Sequence, residues 1–201
     1  MSSTTAPSTT MSSAAMPAAT KSRIAPLDPP YPPDIQQQFD RIMRGAPPLI
    51  LFRVLAGHAR AWEKFRAGSL LDRGPLSLRE REIVIDRTCA LNRCEYEWGV
   101  HVATFADPAH LTADQVRATV LDGTDAPCWS EAERALIAAV DALHHRATLS
   151  DAEFKTLSVH HDDAQILEIM LLCGFYRTVS YLANGLALPL EEKAARFPAA
   201  T

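Results

Sequence analysis

The chain has 201 residues, of which 47% are hydrophobic and 22% charged, and its formal net charge is −4. This is enough apolar material for one domain with a hydrophobic core. The chain has 20 basic and 24 acidic side chains, so it lacks the excess of positive charge that nucleic-acid binding needs. We therefore expect no nucleic-acid partner. Glu168 and Arg177 interrupt the most apolar stretch, so we predict no membrane span. The four cysteines have neither disulfide-scaffold density nor zinc-ribbon spacing, and we expect a soluble, cytoplasmic protein.

The first 30 residues differ in composition from the rest of the chain. Serine, threonine, alanine and proline supply 22 of them, and no acidic residue precedes Asp28. Such a segment buries too little apolar surface to offset the entropy lost on ordering, so we predict a disordered tail. A proline-rich connector follows. We therefore divide the chain into a tail with its connector, residues 1–33, and a single domain, residues 34–201.

From residue 34 onward the pattern is helical. Capping boxes recur, in which a side-chain oxygen accepts from a backbone N–H and the residue three positions later reaches back. They pair Ser77 with Glu80, Thr112 with Gln115, Ser130 with Glu133, Ser150 with Glu153 and, more loosely, Asp162 with Gln165. No alternating run bounded by hairpin signals is present. The sequence predicts an all-α, compact multi-helix bundle of about eight helices, at 34–45, 49–67, 77–91, 93–106, 112–121, 130–147, 150–160 and 163–187.

Glu82 lies on an apolar face of the helix predicted at 77–91. It shares that face with Leu78, Ile85 and Cys89, whereas the predicted exposed face has Arg79, Glu80, Arg81 and Arg87. A buried carboxylate is costly without a partner, and burial raises its pKa. Glu82 is therefore either a structural carboxylate paired with a buried cation or part of a functional site.

The next predicted helix places three reactive side chains on one face. Asn92 and Glu95 form an Asn-x-x-Glu capping box, which puts Cys94 in the first turn, where the helix dipole favours a thiolate. Glu97 and His101 follow Cys94 at i+3 and i+7. A thiol, a carboxylate and an imidazole on one face can exchange protons or hold a polar ligand. Taken singly, each of the three also fits an ordinary packing role.

Two segments resemble the carboxymuconolactone decarboxylase family, which includes the alkyl hydroperoxidase D proteins. They are Leu-Arg-Glu-Arg-Glu-Ile-Val at 78–84 and Asn-x-Cys-x-Tyr-Glu-Trp-x-x-His at 92–101. The likeness covers about residues 45–187, and its specific part is 77–106. The resemblance implies a compact all-α bundle assembled as a homotrimer or homohexamer.

The peroxidase branch of this family uses a Glu, a Cys-x-x-Cys and a His. Glu82, Cys94 and His101 match three of these positions, and Glu97 replaces the second cysteine. The vicinal disulfide of that branch therefore cannot form here. Cys89 is an alternative resolving thiol only if its Cα lies within about 7 Å of that of Cys94, which the sequence does not establish.

The Glu-Trp-x-x-His version is similar to the decarboxylase branch, which acts on a small lactone acid. The resemblance implies that Glu97 and His101 handle the proton while Glu82 sets the charge or tautomer of the imidazole. It thus implies metal-free acid/base chemistry on a small unsaturated lactone or keto acid. A peroxiredoxin-like antioxidant using Cys94 is the alternative. Candidate substrate-binding residues are Tyr96, Trp98 and Tyr176, although Trp98 and Tyr176 also fit simple packing.

Two further interpretations use the same residues. Glu82, Glu97 and His101 are a plausible set for a divalent cation, but no fourth ligand is evident, so we expect no metal and no cofactor. The chain could also be a non-catalytic helical oligomer. The adjacent histidines at 144–145 and 160–161 point about 100° apart on a helix, so neither pair is a chelating face.

Overall fold

A computed structural model of the chain describes residues 21–199, so the predicted tail up to residue 20 lies outside the described residues. This part of the chain contains nine α-helices and no strand. The all-α prediction is confirmed. The helices are α1 Pro33–Met43, α2 Ile50–Ala56, α3 Ala59–Ala67, α4 Leu78–Leu91, α5 Glu95–Phe105, α6 Ala113–Val120, α7 Glu131–Arg146, α8 Asp151–Ser158 and α9 Asp163–Gly185, with a 3-10 turn at Gly123–Asp125.

Five of the six predicted capping boxes are present. Each N-cap side chain accepts from the N3 backbone, and each N3 side chain reaches back to the N-cap. The single helix predicted at 49–67 is wrong, because the chain breaks between α2 and α3. Gly57 closes α2 with its N–H on the carbonyl of Val54, and His58 is extended.

Helix α4 is the centre of the bundle. It packs against α5, α6, α7 and α9, and every residue from Glu82 to Cys89 is buried. The predicted exposed position of Arg87 is wrong. Its guanidinium is buried and binds both carboxylate oxygens of Asp141 on α7, at 2.6 and 2.8 Å. A helix enclosed on all sides must pair its polar groups internally, and these include Glu82.

The segments before α1 and after α9 lie against the bundle. Arg23 N donates to the carbonyl of Leu186, and Leu27 N donates to that of Arg53. Residues 21–30, part of the predicted disordered tail, thus contact the domain. After α9, Ala195 N donates to the carbonyl of Gly99 at 3.0 Å. A Cβ at Gly99 would meet the Ala195 oxygen at 2.3 Å, so this close approach requires glycine.

Helix α9 has the length and composition of a membrane-crossing helix, with a mean hydropathy of 1.4 over its most apolar window, of which 39% is buried. The core helix of a folded domain meets the same criterion, and α9 packs against α4, α5 and α7. The absence of a membrane partner and the cytoplasmic location stay predictions. Three large side chains on α9 are about 60% exposed: Leu167, Leu171 and Tyr181.

Candidate active site

The connection between α4 and α5 differs from the predicted capping box. Asn92 is the C-cap of α4, and its side chain donates to the carbonyl of Thr88 at 2.7 Å. Arg93 takes a left-handed conformation with φ 53°, which ends the helix. Cys94 is then the N-cap of α5, without a side-chain capping bond. The sequence pattern at Asn92 fitted a helix start, but the residue ends the preceding helix.

Helices α4 and α5 bring Glu82, Glu97 and His101 together. His101 Nδ1 lies 2.7 Å from Glu82 Oε2, and His101 Nε2 lies 3.5 Å from Glu97 Oε1. The first distance is a strong hydrogen bond, and the second is an ion-pair distance beyond good hydrogen-bond geometry. All three side chains are buried. The predicted convergence of these residues is present in the structure.

The carboxylates determine the charge of the imidazole. Burial alone would lower the pKa of His101, but its contacts with Glu82 and Glu97 outweigh burial and raise the pKa to about 10. His101 is therefore an imidazolium at neutral pH, with a proton on each ring nitrogen. Glu82 holds the Nδ1 proton, so the Nε2 proton is the one less firmly bound.

Arg81 and two aromatic rings complete the surroundings. Arg81 Nε lies 3.2 Å from Glu82 Oε1, which gives Glu82 two cationic partners. The Tyr176 ring meets the His101 ring edge-to-face at 5.1 Å between centroids, and the Phe105 ring lies at 5.3 Å. Tyr176, predicted as a site residue, therefore contacts the imidazole. Burial also raises the pKa of its phenol, so the hydroxyl is neutral.

Asp86 is an acidic neighbour that the sequence interpretation missed. It lies one helical turn after Glu82 and is 1% exposed, and its Oδ1 atom has no hydrogen-bond partner among the described residues. Burial raises the pKa of Asp86 well above its usual range; the charge of His101 opposes this rise and that of Glu82 adds to it. Its i+4 spacing from Glu82 was the signal that could have identified it. Glu97 Oε2 is likewise buried without a partner.

Cys94 borders this cluster as a neutral thiol. Its side chain is fully buried, and burial raises its pKa to about 11, although the backbone N–H groups of Glu97 and Tyr96 oppose this rise. The predicted thiolate is therefore wrong, because burial outweighs the helix N-terminus. This neutral thiol weakens the peroxidase alternative.

Tyr96 and Trp98 lie in structural contacts and not at the imidazole. The Tyr96 hydroxyl donates to Glu191 and accepts from the backbone N–H of Leu51. Trp98 donates through its indole N–H to the Thr119 hydroxyl at 3.0 Å. Internal partners take the polar atom of each side chain, and their substrate-binding role stays a prediction.

The described residues contain no group of three or more histidine, cysteine or acidic side chains arranged to hold a metal ion. Both ring nitrogens of His101 face carboxylates, so neither offers a free lone pair. Two clefts, of about 640 and 350 Å³, lie elsewhere on the surface, and neither is lined by Glu82, Glu97 or His101. A ligand reaches the imidazole only when neighbouring groups move.

Comparison with known proteins shows which family the central part of the chain resembles. The model of the carboxymuconolactone decarboxylase family matches residues 56–142, which include Glu82, Glu97 and His101. The resemblance seen in the sequence is confirmed over this stretch of the chain. No curated protein matches the chain in sequence.

Solved structures show the same fold. An uncharacterized peroxidase-related protein from Silicibacter sp. TM1040 is 20% identical with a TM-score of 0.76, over 90% of this chain and 97% of that one. An alkylhydroperoxidase AhpD core protein from Ralstonia eutropha JMP134 is 21% identical with a TM-score of 0.76, over 86% and 93%. The debrominase Bmp8, solved with 2,3,4-tribromopyrrole, is 15% identical with a TM-score of 0.68, over 85% and 92%. The fold is that of the alkylhydroperoxidase D-like proteins.

Proposed function

We propose that the protein is a carboxymuconolactone decarboxylase-like lyase that performs metal-free acid/base chemistry on a small unsaturated lactone or keto acid. The observation that carries this proposal is the buried imidazolium of His101 between the carboxylates of Glu82 and Glu97. A protonated imidazole with one loosely held N–H is a general acid. The arrangement favours proton delivery over thiol chemistry, because the nearby cysteine is neutral.

The proposed step is protonation of carbon. The substrate carboxylate leaves as CO₂, and the electron pair of the broken C–C bond stays on carbon, conjugated with the lactone or keto group. The Nε2 proton of His101 is then transferred to that carbon. Glu82 keeps the Nδ1 proton and orients the ring through its 2.7 Å hydrogen bond. Glu97, with Oε2 unpartnered, accepts a proton from solvent and returns it to Nε2.

A screen of small unsaturated lactones and β-keto acids tests this proposal, with CO₂ release and solvent deuterium incorporation as readouts. We expect one class of acid to be turned over, with one solvent-derived hydrogen at the carbon that carried the carboxylate. His101→Gln should lower turnover by about 10²–10⁴-fold, as expected for loss of a general acid. Cys94→Ser is the matched control and should retain most activity. Full activity of His101→Gln, or loss of activity only in Cys94→Ser, would refute the proposal.

We further propose that the chain assembles as a homotrimer or homohexamer. The exposed Leu167, Leu171 and Tyr181 of α9 support this, because they form an apolar face on one helix. Light scattering should give a multiple of the 22.0 kDa chain mass. Leu167→Glu combined with Leu171→Glu should lower that mass, whereas Lys155→Glu on α8 should not. A wild-type protein at 22.0 kDa contradicts the proposal.

A further inference from the structure

Cys89 and Cys94 lie on the two sides of the connection between α4 and α5. Cys94 N donates to the carbonyl of Cys89 at 2.9 Å, and Arg93 N donates to that of Ala90 at 2.9 Å. With Arg93 at φ 53°, these are the paired backbone hydrogen bonds of a Schellman motif. In this motif the side chains at the positions of Cys89 and Cys94 characteristically contact each other. Here both side chains are thiols.

The backbone hydrogen bond limits the distance between the two residues. With standard bond lengths on either side of an N···O distance of 2.9 Å, the two Cα atoms are at most about 6.8 Å apart, which is within the range of disulfides. Both side chains are fully buried, and Ser180 on α9, whose hydroxyl donates to the carbonyl of Tyr176, lowers the pKa of each thiol. One shared neighbour places the two sulfur atoms in the same part of the core.

We infer that Cys89 and Cys94 form an intramolecular disulfide when the protein meets a hydroperoxide. The Cys94 sulfur attacks the terminal peroxide oxygen, the O–O bond breaks, and an alcohol leaves with the proton, giving a sulfenic acid. The Cys89 sulfur then attacks the Cys94 sulfur, the S–S bond forms, and the hydroxyl leaves with the Cys89 proton as water. Two thiols and one hydroperoxide thus give one disulfide, one alcohol and one water.

Cys94 is the attacking thiol because it lies at the N-terminus of α5, where the helix dipole favours a thiolate, whereas Cys89 lies in the last turn of α4, where the dipole disfavours one. Burial raises its pKa to about 11, so the oxidation is slow and stoichiometric, unlike a rapid peroxidase cycle. The inference goes beyond the proposed acid/base function and does not depend on it. The disulfide joins the end of α4 to the start of α5 within a connection that is already closed by backbone hydrogen bonds.

Peptide mapping of the full chain tests the inference. The protein is treated with hydrogen peroxide, free thiols are alkylated, and trypsin digestion follows without reductant. Cleavage at Arg87, Arg93 and Arg117 separates Thr88–Arg93 from Cys94–Arg117. We expect these two peptides to be recovered as one linked species that is two hydrogen atoms lighter than their sum and that dithiothreitol separates.

Variants identify the partners. Cys89→Ser and Cys94→Ser should each eliminate the linked species, while Cys173→Ser should leave its yield unchanged. Circular dichroism of each variant before oxidation verifies that the helices are retained. The peptide map of the wild-type protein identifies the linked peptides even if a variant fails to fold. Linkage of Cys89 or Cys94 to Cys128 or Cys173 would overturn the inference. Cys94 oxidised to sulfinic acid, or left unreacted beside a free Cys89 while Cys128 is oxidised, would also overturn it.

Discussion

Two pairs of residues in helix α5 lie in different surroundings although they are close together in sequence. Glu97 and His101 face α4 and form the buried charged cluster with Glu82. Tyr96 contacts Leu51 and Glu191, and Trp98 contacts Thr119, so the two side chains fix α2, the C-terminal segment and α6 to the bundle. One short motif therefore supplies both the charged cluster and the frame that holds it. Adjacency in a motif does not establish adjacency in space, because neighbours on a helix point about 100° apart.

Substitutions at two adjacent positions give the largest expected contrast. Glu97→Gln removes the carboxylate that faces His101 Nε2, so we expect turnover on a substrate found by the screen to fall by about 10²-fold or more. Tyr96→Phe removes only the hydroxyl contacts with Glu191 and Leu51, so turnover should change little. Steady-state kinetics of the purified variants measure both effects. Equal losses of activity in Glu97→Gln and Tyr96→Phe would mean that the two positions do not differ in function.

The free energy of unfolding should depend strongly on Trp98, which is a packing residue of α5. Trp98 is almost fully buried, its indole N–H is bonded to Thr119, and its ring lies 5.1 Å from that of Phe197. Trp98→Ala should lower the free energy of unfolding by about 3–5 kcal/mol, as expected for loss of a large core aromatic. Chemical denaturation measures this value. The pKa of His101 in folded Trp98→Ala should be unchanged. An altered pKa would show that Trp98 supports the charged cluster directly and is not only a packing residue.

Asp86 provides a smaller, pH-dependent test within the charged cluster. Its pKa is higher in the folded chain than in the unfolded chain, so folding favours the protonated form and the cost of burial grows as pH rises above about 4. Asp86→Asn keeps the shape without the ionisable group. We expect it to raise the melting temperature at pH 7 by about 2–4 °C, which corresponds to about 1 kcal/mol, and to have little effect near pH 4.

The matched control for this test is Asp163→Asn at the exposed start of α9, which should not reproduce the pH dependence. A clear loss of stability in Asp86→Asn at pH 7 would show that Asp86 is an ionised, partnered carboxylate.

The helices were largely predictable because their start signals are local. A capping box needs only residues three positions apart, and five of the six predicted boxes form. The break after α2 was missed because apolar residues continue at helical spacing through Gly57 and His58. At Asn92, a residue type that suits both ends of a helix was assigned to the wrong end. Local patterns therefore identified helices better than the connections between them.

The site was predictable in its residues but not in its charge states. Spacing placed Glu82, Glu97 and His101 correctly, since helical periodicity determines which side chains share a face. The neutral Cys94, the buried Arg87 and the raised pKa of Asp86 depend on enclosure by α7 and α9, which are distant in sequence. Burial of this kind sets pKa values, and no local motif specifies it.

The protonation state of His101 decides whether the buried cluster contains an imidazolium that can act as a general acid. A nitrogen-15 NMR titration of the full chain resolves whether the ring carries one proton or two, and His101→Gln assigns the resonance. We expect an imidazolium that persists through pH 8 and titrates near pH 10, because Glu82 and Glu97 hold both N–H groups. Folding stability should then lose the contribution of His101 as pH rises from about 6.5 through 10. A neutral His101 at pH 8, titrating near its ordinary pKa, would contradict the assignment of His101 as a buried general acid.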